Sequence, residues 1–263
     1  METNRNQPII LAEWMKSRGT FTPWFLVAGS VLVPIVCCLI YINRWSYFIP
    51  ETGINGWSAY LQMNVNLSAA LMLPVWIILL VALNIHPEQK GNTWKRLFVT
   101  PVGKGRLFIG KLVYLSLEVV VTLIGFFLAI GLTGMIAHAI HPNLALPAKN
   151  IPLFHMLLTT IGLTICLLPM MTLQYVFSLL TNNVLVPASI GIFVVIVSMV
   201  LVQGWTYAVY DPYAFPVFYA WNDCGKTTLP HWLGISSVEW MSMAVCLLVA
   251  WGGWCKFRRI SIK

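Results

Sequence analysis

Few residues of this chain stand where a reacting group would need them. His138 and His141 are one helical turn apart, as two metal ligands could be, but no carboxylate or third histidine lies near them. They read as interfacial histidines at a helix end. The apolar runs hold no HExxH, no GxSxG and no paired carboxylates, which leaves a membrane protease or hydrolase without its groups. No GxxxxGK[ST] occurs, so any nucleotide is expected to be hydrolysed on a different chain. The six cysteines (Cys37, Cys38, Cys166, Cys224, Cys246, Cys255) lack CxxC spacing. Five lie within or at the edge of apolar runs, where a thiol behaves as a small hydrophobe, and Cys224 sits in a loop without an obvious partner. Neither a disulfide framework nor a metal site is expected.

What remains is polar groups inside apolar stretches. Glu118 is the only acid well inside a predicted span, and an intramembrane carboxylate is a functional candidate by default. Its two readings are a group facing the bundle interior, or a structural one that reaches Lys111 or a lipid headgroup. Asn64, Asn66 and Gln174 are milder cases, open to interhelical hydrogen bonding or to substrate contact.

The elements that carry these groups follow from composition. Hydrophobic residues make up 59% of the 263 and charged residues 9%, with a mean hydropathy of +0.79. Soluble domains carry roughly 25% charged residues, so the chain reads as an all-α integral membrane protein. About 20 apolar residues cross the hydrocarbon core, and the uncharged runs divide into six spans at about 24–43, 63–85, 112–138, 153–180, 184–203 and 238–255. The longest run, Asn150 to Tyr210, is broken by Thr181-Asn182-Asn183. Residues 1–23 carry Arg5, Lys16 and Arg18 around Ile9, Ile10, Leu11, Trp14 and Met15, the pattern of an amphipathic helix lying in the interface. The run that follows lacks the flank of a cleavable signal peptide and is kept as a permanent span. The loops 44–62 and 204–236 join spans, and the latter is rich in Trp, Tyr and Phe. It reads either as a short helix resting on the bilayer surface or as an external gate.

One long polar stretch, His86 to Lys111, interrupts this pattern and holds six of the sixteen Lys and Arg residues. Within it Trp94, Leu97 and Phe98 fall at i, i+3 and i+4, on one face of a short helix bracketed by Asn92 as N-cap and Pro101. Such a face, held between two spans, needs another protein to press against. Charge sets the orientation. With six spans, 13 Lys and Arg fall on the side of both termini and of this segment, and 3 (Arg44, Lys149, Lys226) on the other. The positive-inside rule places the first side in the cytoplasm, and it explains the net charge of +8 without nucleic acid.

At this segment the chain resembles the permease subunits of type-2 ABC transporters, particularly the compact ones of the bacteriocin and lantibiotic immunity and peptide-resistance group. Glu88, Gly91-Asn92-Thr93-Trp94, Leu97, Pro101 and Lys111 carry the resemblance, and Asp211-Pro212-Tyr213-Ala214-Phe215-Pro216 looks like the family's proline-containing external segment. Length, interfacial helix, span count and the tight turn between the fourth and fifth spans extend it over the whole chain, as a single permease domain of residues 1–263. The resemblance implies a bacterial plasma-membrane protein that pairs with a second permease, identical or homologous, and with a cytosolic ATPase dimer that holds the ATP and Mg. The permease itself is then no enzyme and binds no cofactor. It further implies that the short cytoplasmic helix couples to the ATPase through Glu88, Gly91, Thr93, Trp94, Leu97, Phe98 and Pro101. The path would run between permeases, lined mainly by the second and fifth spans. Few intramembrane charges argue against an ion-coupled carrier. The expected function is export or membrane clearance of an amphipathic peptide. Export of lipid or a hydrophobic drug is the alternative, as is a non-transporting partner that passes ATPase strokes to an extracytoplasmic protein.

Overall fold

The computed structural model describes residues 9–50, 55–90, 104–181, 183–223, 231–232 and 235–259. Eight helical rods carry the fold: α1 (Ile9–Arg18), α2 (Thr22–Asn43), α3 (Trp57–Leu67) continued by α4 (Leu73–Lys90), α5 (Lys104–Ile140), α6 (Leu153–Leu180), α7 (Leu185–Leu201), α8 (Phe215–Asp223) and α9 (Ser237–Arg259). The extended structure among the described residues is a two-residue antiparallel pair, His231–Trp232 with Ile235–Ser236. Five helices are long and apolar enough to cross a membrane: Thr22–Asn43, Trp57–Pro87, Gly105–Ile140, Leu153–Leu180 and Ser237–Arg258. α7 is equally apolar but has 17 residues.

Where the boundaries depart from the sequence reading, local packing explains it. The second span starts at Trp57, not at residue 63, because Trp57 and Tyr60 are fully buried and their rings fill the space beside Gly134. Trp57 N–H is capped by Asn55 Oδ1 at 3.2 Å, and its indole Nε1 donates to Pro147 O at 2.9 Å. α3 and α4 meet in a π turn, Ser68–Met72, so the second span is wound more loosely at mid-length. The third span starts at Lys104 rather than 112. Its first turns are charged, yet Phe108 is buried against Trp254 and Phe257 of α9, and Gly105 lets Trp254 come close. At 1.5 Å per residue the 37 residues of α5 span about 55 Å, well beyond a hydrocarbon core of about 30 Å. The fourth span has the expected bounds.

α5 lies along α2, and α9 lies along α6, while α4 sits among α2, α6 and α7. Several hydroxyls inside the helices bond back to their own turn, as Thr160 does to Met156 O at 2.7 Å and Ser242 to Val238 O at 2.7 Å, which satisfies them without water. The first turns of α5 meet both α1 and the last turns of α9, which sets the N-terminal helix and the C-terminal end of α9 at one end of the bundle. The outward faces are largely apolar, with Leu128, Leu132, Phe154, Leu247 and Leu248 all more than half exposed. α1 presents Leu11, Trp14 and Met15 outward and turns Glu13 and Ser17 toward α5. Lys16 and Arg18 stay exposed beside them, so the outward face is mixed, as on a helix at a membrane interface.

Candidate functional site

The polar groups singled out by sequence fall into separate places. Gln174, fully buried in α6, donates from Nε2 to Pro187 O of α7 at 2.7 Å. Gly191, one turn further along α7, leaves room for that amide; a Cβ there would lie 2.6 Å from Gln174 Oε1 and 3.1 Å from Ile78 Cδ1 of α4. Gln174 thereby knits α4, α6 and α7 where three backbones approach closely. Asn64 is fully buried one turn before the π turn, and its Nδ2 donates to Tyr60 O at 2.9 Å. Asn66 is half-buried on the same helix. The second span presents Leu67, Leu71 and Met72 outward around the π turn, and α7 presents Val186, Ile190, Phe193, Val197 and Val200. α3–α4 and α7 thus combine an apolar outer face with amides behind it, and carry no Asp, Glu, Lys or Arg between Trp57 and Pro87 or between Leu185 and Leu201.

Glu118 lies elsewhere. It is 4% exposed, and Oε2 accepts from Asn84 Nδ2 of α4 at 2.7 Å. Lys111, the cation that the sequence reading offered it, is buried on the same helix, with its ammonium 3.7 Å from Glu13 Oε2 of α1. Glu13 and Asn84 went unremarked in the sequence. Glu13 sits three residues before Lys16, also within 3.8 Å, and resembles an ordinary surface pair until α1 folds onto α5. Asn84 is an amide in an apolar run and could have been found by the criterion that found Asn64. A turn beyond Lys111, Tyr114 donates its hydroxyl to Ser17 Oγ at 2.6 Å.

The aromatic loop divides. Trp205, Tyr207 and Tyr210 point outward, whereas Tyr213, Phe215 and Tyr219 are buried. α8 does not rest on a surface; it is seated against α3, α6 and α9, with Tyr219 over Gly162 and its hydroxyl donating to Leu158 O at 3.4 Å. Asp211 turns the chain into this helix: Oδ1 accepts from Tyr213 N–H at 3.0 Å, and Oδ2 accepts from Ser198 of α7. Burial, and then the neighbouring Asp211 carboxylate, push the Tyr213 phenol up to about 12, so it is protonated at neutral pH. His141 stacks on Trp45 with ring centroids 5.2 Å apart, at the end of the bundle away from α1. The five described cysteines are free thiols.

Of the expected coupling residues, Glu88 falls in the last turn of α4, and Gly91, Thr93, Trp94, Leu97, Phe98 and Pro101 lie outside the described residues. Among the described residues no three His, Cys, Asp or Glu come together as a metal site would require.

Comparison with known proteins gives one match. The family model described as ABC-2 family transporter protein covers residues 9–198. No curated protein and no solved structure matches the chain.

Proposed function

The chain belongs to the ABC-2 family of transporter proteins, and from that membership we propose that it is the permease of an ATP-driven exporter that moves an amphipathic peptide out of, or away from, the membrane. ATP and Mg are bound by a separate cytosolic ATPase dimer, which engages the face of Trp94, Leu97 and Phe98, with Glu88, Gly91, Thr93 and Pro101 framing it. A second permease, identical or homologous, completes the path. α7 is the fifth of six crossings: its 17 residues give about 26 Å of helix, close to the hydrocarbon thickness. Its start follows α6 closely, and its far end reaches Asp211 beside α8. The excess of Lys and Arg on the side of both termini puts that side in the cytoplasm of a bacterial plasma membrane.

The observation that carries the reading is the wall of spans 2 and 5. It exposes aliphatic side chains and sets Asn64 and Gln174 behind them, without a charge. An amphipathic solute can slide along such a wall, whereas a small ion finds no counter-charge. The exposed Trp205, Tyr207 and Tyr210 supply amphipathic rings where a membrane-active peptide would itself sit. The chain and its partner ATPase are expressed in a sensitive host, and killing is measured for cationic peptides and for hydrophobic drugs. Protection confined to peptides and dependent on ATP hydrolysis is expected. Protection against drugs alone, or against no peptide, would reject the substrate class.

A further inference from the structure

A cavity of about 540 Å³ lies between α1, the first turns of α2 and the middle of α5, away from the wall of spans 2 and 5. Leu11 and Trp14 of α1, Leu26 of α2, and Leu117 and Val121 of α5 give it an apolar lining. Its size falls within the roughly 300–1,000 Å³ of small-ligand sites. The polar groups that reach it are nearly all engaged. Ser17 donates to Trp14 O at 2.9 Å, and Tyr114 donates to Ser17 Oγ at 2.6 Å, which uses the hydrogen of each hydroxyl. The Arg18 guanidinium lies 4.6 Å over the Trp14 ring. Lys111 is turned to Glu13.

Glu118 is the exception. Asn84 occupies Oε2, and the Tyr114 hydroxyl, committed to Ser17 Oγ, also faces the carboxyl; Oε1 itself has no hydrogen-bond partner among the described residues, although the side chain is 4% exposed and lines the cavity. A carboxylate oxygen held among aliphatic groups is costly unless a donor or a cation completes it. An anionic headgroup would pair with Arg18, which also lines the cavity, but would leave Oε1 without a donor. A purely apolar ligand would fill the space and leave the oxygen bare. An ammonium carried on an aliphatic chain satisfies both wall and acid.

We propose that this cavity binds an amphiphile bearing a protonated amine, with the ammonium on Glu118 Oε1 and the tail against Leu26, Leu117 and Val121. The shared chemistry has two sources, the ethanolamine headgroup of a membrane phospholipid and a free lipophilic amine. The site is independent of the proposed export activity, and binding to the permease alone tests it.

The full chain is placed in phosphatidylcholine nanodiscs, and binding of radiolabelled dodecylamine is measured with dodecanol and dodecanoate as competitors. Saturable binding is expected, displaced by unlabelled amine and not by the alcohol or the acid. Glu118→Gln should weaken it by about tenfold or more, the loss of one charge-assisted hydrogen bond. Leu117→Trp, at a side chain 46% exposed and therefore able to change without rebuilding the core, should block binding while Glu118 remains. Displacement when phosphatidylethanolamine is added to the discs assigns the site to lipid; persistence assigns it to the free amine. Binding unchanged by both substitutions, or equal binding of dodecanol or dodecanoate, would overturn the proposal.

Discussion

Lys111 is 3% exposed beside a carboxylate 3.7 Å away, and Glu118, two turns along the same helix, is held instead by Asn84. Glu118 thus takes a partner, Asn84, that the sequence reading did not offer it, and Lys111 lies against Glu13. Glu118 was legible as the only acid deep in a predicted span, because burial of a charge shows in the hydropathy of its neighbours. Its partner was not legible. Which of Lys111, Asn84 or a headgroup it meets depends on how α1, α4 and α5 are turned about their axes, and their spacing in sequence does not fix that. Glu13→Lys puts a second cation against buried Lys111 and should lower the stability of the purified chain by about 3 kcal/mol, the cost of breaking a largely buried pair. Adding Lys111→Glu reverses the pair and should recover at least about 1 kcal/mol, read as a coupling energy from thermal melts of the four chains. Strict additivity would mean that the contact holds nothing together.

Among the elements, the helices were read well where apolar residues alone define them, as with Leu153–Leu180. They were read short where polar residues continue a helix, because hydropathy marks the lipid-facing length rather than the hydrogen-bonded length. Lys104, Gly105 and Arg106 open α5 in that way, and Ser58 and Gln62 lie in the first turns of α3. The π turn at Ser68–Met72 has no sequence signature, since Ser-Ala-Ala-Leu-Met suits an ordinary helix equally well. α8 was missed as a buried element for another reason. Its aromatics suit an interface, and only Gly162 of a distant helix makes room for Tyr219. Gly162→Val sets a branched side chain into that ring and should lift α8 at a cost of about 1–3 kcal/mol. Val217, 2% exposed on α8, reports it. Val217→Cys should resist maleimide in the parent chain and react in the Gly162→Val background. Continued protection would show that Tyr219 over Gly162 does not hold α8 in place.

For the whole molecule, the distribution of charge says more than any single residue. With the proposed six crossings, thirteen of sixteen Lys and Arg residues fall on the side of both termini, and six of them belong to the stretch from His86 to Lys111, which also carries Trp94, Leu97 and Phe98 on one predicted face. With ATP hydrolysed on a separate chain, as proposed, the permease receives its work through a surface, and that face is the proposed one. The direct test joins binding to transport. The permease is co-purified with its ATPase, the complex is placed in proteoliposomes, and ATP-dependent movement of a labelled cationic peptide is followed. Leu97→Asp buries an unpaired charge against the ATPase and should abolish both copurification and movement, although the variant still inserts in the membrane. Lys95→Ala, on another face of the same segment, should leave both within about twofold, as expected when a solvated charge is removed. Equal behaviour of the two variants, or ATP-dependent movement that survives Leu97→Asp, would contradict coupling through this helix.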